Sequence, residues 1–264
     1  MDKPRLGTLY VVPAPLDFHC DTQVALDWVL PQHTMEIAAA LSHWVCENAK
    51  SARALLRRID AHKPLVTALQ AQNILELPRE VHKKGDLGTS WDAKALLKAA
   101  LQGHDIGLLS EAGMPAVADP GSSLVRAAHD LGLAVVPLVG PCALVLALAA
   151  SGLNGQSFAF VGYVPQDAGQ RQQQLAHLER LALQSGQTQI LIETPYRNAA
   201  VLAALLSGLK DSTRLAVCSG LTLPQMHIQS LRVADWKRLN TTLDKHTPVV
   251  FVQSRIQAFP VCYP

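Results

Sequence analysis

Proline and glycine gather at three points of this chain where a short aliphatic run gives way to a turn. They are Val11-Val12-Pro13-Ala14-Pro15, the longer Ser110-Glu111-Ala112-Gly113-Met114-Pro115-Ala116-Val117-Ala118-Asp119-Pro120-Gly121, and Val136-Pro137-Leu138-Val139-Gly140-Pro141-Cys142-Ala143. Proline fixes φ and glycine admits close approach, so such turns can hold backbone N–H and C=O groups still against a ligand. None is a G-x-G-x-x-G run and no Walker A sequence occurs, so loops that cradle pyrophosphate are absent. Any one of these turns is also an ordinary way to end a strand. Three together fit the ligand-binding edge of an open α/β sheet.

Other chemistries find little support. The ten histidines form no H-x-x-x-H pair, and no metal is expected. The five cysteines, Cys20, Cys46, Cys142, Cys218 and Cys262, are scattered, odd in number and without a C-x-x-C pair. That spacing disfavours both a disulfide framework and a structural zinc site, and suits a reducing compartment.

The elements that must position these turns alternate between strand-like and helix-like patterns. Strands are expected at 8–12, 106–109, 134–136, 158–161, 189–192, 215–217 and 249–252. Helices are expected at about 22–29, 49–59, 92–102, 122–131, 143–151, 170–184 and 197–208. This order predicts an α/β protein, with mainly parallel pairing at least in its first half. The Gly140-Pro141 turn is the best boundary, giving domains 1–139 and 140–264. In the helix at 49–59, Leu55, Leu56 and Ile59 form an apolar edge, and Lys50, Arg53 and Arg57 recur along another. That stripe is either a solvated outer face or one that touches phosphates. Residues 77–90 read as an exposed loop.

With 264 residues, 49% hydrophobic and 17% charged, the chain can bury one large core or two ordinary ones. A formal charge of +2 permits a nucleic-acid partner without arguing for one. Residues 131–153 carry no charge and are long enough to span a bilayer. Pro137 and Gly140-Pro141 interrupt them, however, so a buried strand, a tight turn and a buried helix are expected, and no membrane span. The opening Met1-Asp2-Lys3-Pro4-Arg5 has no signal-like apolar core, and a cytoplasmic location is expected.

The second and third turns, taken with Gly7-Thr8-Leu9-Tyr10-Val11-Val12-Pro13, Glu47-Asn48 with Lys50-Ser51, Phe160-Val161-Gly162-Tyr163-Val164-Pro165 and Glu193-Thr194-Pro195-Tyr196-Arg197, resemble the tetrapyrrole methylase superfamily. The nearest branch methylates a ribose 2′-hydroxyl of small-subunit ribosomal RNA, and the likeness runs in order over nearly the whole chain. The resemblance implies two α/β domains flanking a cleft, a homodimer, and S-adenosylmethionine as cofactor. Carried over by position, the cofactor would meet Pro13, Glu111, Ala112, Gly113, Ala118, Asp119, Gly140, Pro141, Cys142 and Ala143. Phe160, Gly162, Glu193 and Thr194 of the second domain would join them.

Methyl transfer needs alignment and exclusion of water more than acid catalysis. A ribose hydroxyl must lose its proton, however, and Glu47, Glu111 and Glu193 are the candidate bases. Lys50, Tyr196 and Arg197 are candidates for holding the acceptor. The chain departs from the branch at Asp17-Phe18, where Gly-Asn is usual, and at Glu111 and Met114, where Asp and Thr are usual. It departs again at Cys218-Ser219-Gly220-Leu221-Thr222, where Arg-Glu-Leu-Thr is usual. An RNA acceptor is the first expectation. A tetrapyrrole or other small molecule, or non-catalytic binding of S-adenosylmethionine, are the alternatives.

Overall fold

A computed structural model describes residues 5–78, 80, 81, 86 and 91–254. The chain forms two compact units. One contains Met1–Phe18 and Gln23–Cys142, and the other His19–Thr22 and Ala143–Pro264. The first unit thus runs three residues past the boundary expected at 139, and a four-residue stretch from its early part belongs to the second.

The first unit is built on a five-stranded sheet of β1 (Thr8–Val12), β2 (His43–Cys46), β3 (Asn73–Glu76), β4 (Ile106–Leu109) and β5 (Ala134–Pro137). The spatial order is β3-β2-β4-β1-β5, and every pair is parallel. Parallel strands need crossovers, and alternate strand residues show where these lie. Val12, Trp44, Cys46 and Leu109 pack with Met35, Leu55, Leu56 and Ile59, from helices Gln32–Ala40 and Ala49–His62. Leu9, Val45, Ile106 and Leu108 pack instead with Leu97, Leu124 and Ala128, from residues 93–101 and helix Ser122–Asp130.

The sheet is therefore covered on both faces, which is why its central strand β4 is apolar and buried throughout. Burying a side chain such as Leu56 or Leu108 contributes about 2 kcal/mol. Trp44 is accommodated because residue 107 is glycine: a Cβ there would lie 2.3 Å from the indole ring. The indole Nε1 donates to Gln72 at 2.9 Å, so the buried ring keeps its hydrogen bond.

Strands β2 and β3 and the helix Gln32–Ala40 were not expected from the sequence. The two strands are only four residues each, and β3 is a largely exposed edge. The segment expected as an exposed loop from Leu77 onward departs from that reading at three described residues. Leu77, Val81 and Asp86 are buried, because the first two fill apolar space and Asp86 caps a helix. Glu80 is exposed, as expected, and residues 79, 82–85 and 87–90 lie outside the described residues.

The second unit has strands β6 (Phe158–Gly162), β7 (Thr188–Glu193), β8 (Arg214–Ser219), β9 (His227–Arg232) and β10 (Val249–Ser254), in the order β6-β7-β10-β8-β9. Only β6 and β7 are parallel; the other pairs are antiparallel. Phe251, Trp236, Leu175, Val201 and Leu205 form its core. Helix Ala168–Ser185 begins at the Asp167 cap and ends at Gly186, whose φ of 69° is the left-handed conformation such ends use. The uncharged stretch 131–153 divides into β5, the Gly140-Pro141 turn and helix Ala143–Ser151. Among the described residues no helix is long and apolar enough to cross a membrane.

Candidate active site

Order and direction of the first sheet place its crevice. The chain leaves β2 toward β3 on one side and leaves β4 toward β5 on the other, with crossovers on opposite faces. Neighbouring strands whose connections diverge leave a crevice at their carboxyl ends, the usual ligand position in open α/β sheets. Glu47 follows β2 directly and Glu111 lies just beyond β4, so both stand at this point. Their separation of 64 residues hides the pairing from any local reading of the sequence.

The two are joined by hydrogen bonds. The backbone N–H of Glu111 donates to Glu47 Oε1 at 3.3 Å, and Ser51 Oγ donates to Glu111 Oε1 at 3.1 Å. Ser51 is held in the first turn of helix Ala49–His62, where the Asn48 side chain accepts from the amides of Lys50 and Ser51. A third carboxylate, Asp119, acts on the pair electrostatically. Burial, with the charges of Asp119 and Glu111, outweighs the Glu111 amide and raises the Glu47 carboxyl to about 7. Burial, with the charge of Glu111, likewise raises Asp119 to about 7. Two carboxyls of this cluster thus change charge near neutrality, the condition under which a carboxylate serves as a general base.

The surrounding backbone is stiff. Ala14 and Gly113 form an antiparallel bridge, with N–H···O distances of 2.8 and 2.9 Å, tying the first proline turn to the Glu111 loop. In that loop Ala116 and Ala118 adopt φ of 63° and 68°, left-handed values that a residue with a Cβ adopts only under constraint. A Cβ on Gly140 would sit 2.2 Å from Pro13 Cγ, so the first and third turns meet in a way only glycine permits. Thr34 Oγ1 fixes the third turn by donating to the Val139 carbonyl at 2.8 Å. Beyond the loop, Asp86 accepts from the amides of Gly121 and Ser123 and the hydroxyls of Ser122 and Ser123, at 2.5–3.1 Å.

The structure sorts the residues expected at a site. Pro13, Glu47, Glu111, Ala112, Gly113, Ala118, Asp119, Gly140, Pro141 and Cys142 all belong to the first unit. They come from its three proline-rich turns and the end of β2. Lys50 is exposed on the helix that follows Glu47. Ala143 begins the first helix of the second unit.

In that unit Phe160 and Gly162 lie in β6, where a register shift and a Gly162 φ of 73° interrupt the ladder. Glu193 ends β7, is buried, and accepts from Thr194 N and Oγ1. Arg197 pairs with it at 3.1 Å, so this guanidinium is held by a neighbour four residues away. Tyr196 is exposed. Sequence reasoning missed Asp86 as a remote helix cap and missed the bidentate pair of Arg58 with buried Asp17, at 3.0 and 2.9 Å. No local spacing signals either. Among the described residues, no group of three or more His, Cys, Asp or Glu is arranged to hold a metal ion.

The first of the two α/β units thus has an acidic crevice at the carboxyl ends of its parallel strands, where open α/β sheets bind ligands. Residues 38–236 match the family of Tetrapyrrole (Corrin/Porphyrin) Methylases, and the chain belongs to that family. It is 34% identical over 221 residues to the ribosomal RNA small subunit methyltransferase I of Mesorhizobium japonicum, covering 83% of this chain and 65% of that protein. To the protein of the same name from Escherichia coli O157:H7 it is 30% identical, covering 82% of this chain and 66% of the relative. The chain thus spans about two thirds of the length of these curated relatives. Among solved structures, the methyltransferase CobJ superposes with a TM-score of 0.55 at 16% identity, covering 94% of each chain. The uroporphyrin-III-C-methyltransferase of Thermus thermophilus superposes with a TM-score of 0.51 at 17% identity, covering 96% of this chain and 95% of that one. These two likenesses are of fold.

Proposed function

We propose that this chain is an S-adenosylmethionine-dependent methyltransferase acting on ribosomal RNA, with a ribose 2′-hydroxyl as the methyl acceptor. The observation that carries this reading is the Glu47–Glu111–Asp119 cluster at the point where the β2 and β4 connections diverge. The similarity to small-subunit ribosomal RNA methyltransferases supports the acceptor.

The residues present suit the cofactor. A carboxylate cluster attracts a ligand carrying a sulfonium and an ammonium group, and such a ligand relieves the repulsion among the carboxylates. Pro13, the Glu111–Gly113 loop, Ala118-Asp119 and the Gly140-Pro141 turn would hold it. S-adenosylmethionine supplies an electrophilic methyl group on sulfur, which leaves as a neutral thioether. Glu47 takes the proton of the acceptor hydroxyl. Ser51 steadies Glu111, whose backbone N–H in turn positions Glu47 Oε1. The Pro13–Gly140 approach and the Ala14–Gly113 bridge keep these groups in place through turnover.

The further reading of a cytoplasmic homodimer rests on the resemblance and on helix Ala143–Ser151, an uncharged helix with Val145 and Leu146 exposed. Sedimentation tests the dimer.

The activity test uses purified chain, methyl-labelled S-adenosylmethionine and 30S subunits from a strain lacking its own small-subunit ribose methylase. Label should enter 16S RNA and resist alkali at one phosphodiester, the mark of a blocked 2′-hydroxyl. Absence of label from every RNA, with methylation of a tetrapyrrole acceptor in its place, would overturn the RNA reading and keep the methyltransferase.

A further inference from the structure

Helix Ala49–His62 begins two residues after Glu47 and divides its cations between two tasks. Arg58 is turned inward onto Asp17 and the Val24 carbonyl, and serves the fold. Lys50, Arg53 and Arg57 are exposed, at positions i, i+3 and i+7, which fall on one side of the helix and span ~10 Å along it. Among the described residues none of the three forms an ion pair. The carboxylates of Glu76 and Asp60 accept instead from backbone amides, Ala49 N at 2.7 Å and Leu65 N at 2.9 Å. The result is a cationic ridge without ion-pair partners among the described residues, starting beside an acidic crevice.

We propose that Lys50, Arg53 and Arg57 bind the phosphates of the RNA strand flanking the nucleotide presented to Glu47. The inference rests on the RNA reading above and supplies what that reading lacks. A polyanion drawn toward three carboxylates is repelled unless cations along its path offset them, and this ridge, in which Arg53 donates only to the Ala49 carbonyl among the described residues, is continuous with the crevice. It contacts phosphates and so fixes register without reading sequence. A solvated surface stripe would share the composition but would add nothing to binding.

The test compares two charge-matched variants of the whole chain. One is K50Q/R53Q/R57Q. The other, K94Q/K98Q/R126Q, removes three exposed cations from elements packed on the opposite face of the same sheet. Binding to a labelled 16S RNA transcript is measured by filter retention across a salt series, with melting temperature as the check on folding. The ridge variant should lose on the order of 10- to 100-fold in affinity at 0.1 M salt. The slope of log K against log salt should fall in magnitude by about 2, the value for three phosphate contacts on a single strand. The control should retain slope and affinity.

Equal loss in both variants, or unchanged binding by a folded ridge variant, overturns the ridge and leaves the RNA reading standing. A wild-type chain that shows no salt-dependent RNA binding overturns both.

Discussion

Replacing Glu47 by glutamine should stabilise the protein in alkali and leave it nearly unchanged in acid. The carboxamide keeps an acceptor oxygen for the Glu111 amide and removes the charge. The folded chain raises the Glu47 carboxyl from an ordinary 4.5 to about 7, chiefly through burial. Below pH 4.5 the group is protonated whether the chain is folded or not, and it costs nothing. As pH rises toward 7 the unfolded chain sheds a proton that the folded chain retains, and stability falls. Above 7 the folded chain must also ionise, and the full cost is present.

At 1.36 kcal/mol per pH unit that cost is about 3 kcal/mol, and partial solvent access reduces it to about 1.5 kcal/mol. A change of that size in a chain of this length moves Tm by about 3–6 °C. Scanning calorimetry of wild type and E47Q at pH 8 and pH 4.5 should therefore give a rise of several degrees at pH 8 and about one degree or less at pH 4.5. An equal shift at both values, or a fall at pH 8, would refute the claim that ionised Glu47 burdens the fold. The same variant should lose methyl transfer, so stability and activity would move in opposite directions, as they do where a site is held under electrostatic strain.

Three other outcomes follow from the geometry. Gly140→Ala should destabilise by about 2 kcal/mol or more in urea titration and weaken S-adenosylmethionine binding by calorimetry, because its Cβ meets the rigid Pro13 ring at 2.2 Å. Asp17→Ala should cost about 3 kcal/mol, because it leaves Arg58 partly buried without its bidentate partner; D17A/R58M should recover part of the loss in the same titration. For Asp86, burial pushes its carboxyl upward but hydrogen bonds from Ser123, Gly121 and Ser122 prevail and hold it below the ordinary 3.8. Its stabilisation is present above that value and lost as pH falls through the lowered one. Asp86→Ala should therefore cost about 2 kcal/mol at pH 7 and less at pH 2.5.

The sequence made the turns readable but not their adjacency. Strands β1, β4 and β5 announce themselves as aliphatic runs closed by proline or glycine, and the three turns that carry Pro13, Glu111 and Gly140 follow from them. Strand β2 is the short run His43-Trp44-Val45-Cys46, with no turn signal before it. Its position beside β4, which brings Glu47 to Glu111, is a property of sheet order and not of spacing. Strand β9 escaped because it is an edge with polar residues at His227, Gln229, Ser230 and Arg232. The antiparallel character of the second sheet escaped because β10, the last strand among the described residues, inserts between β7 and β8. The proton affinities of Glu47 and Asp119 depend on that three-dimensional crowding, and no linear pattern encodes them.

Residues His19–Thr22 are made early yet belong with residues that follow Ala143. A ribosome releases this short tongue more than a hundred residues before the body that receives it exists. A fragment ending at Cys142 would carry the tongue with nothing to seat it, and the complementary piece would miss four of its own residues. Any attempt to split this chain for reconstitution should therefore cut elsewhere, or supply the tongue to the later half in a permuted chain.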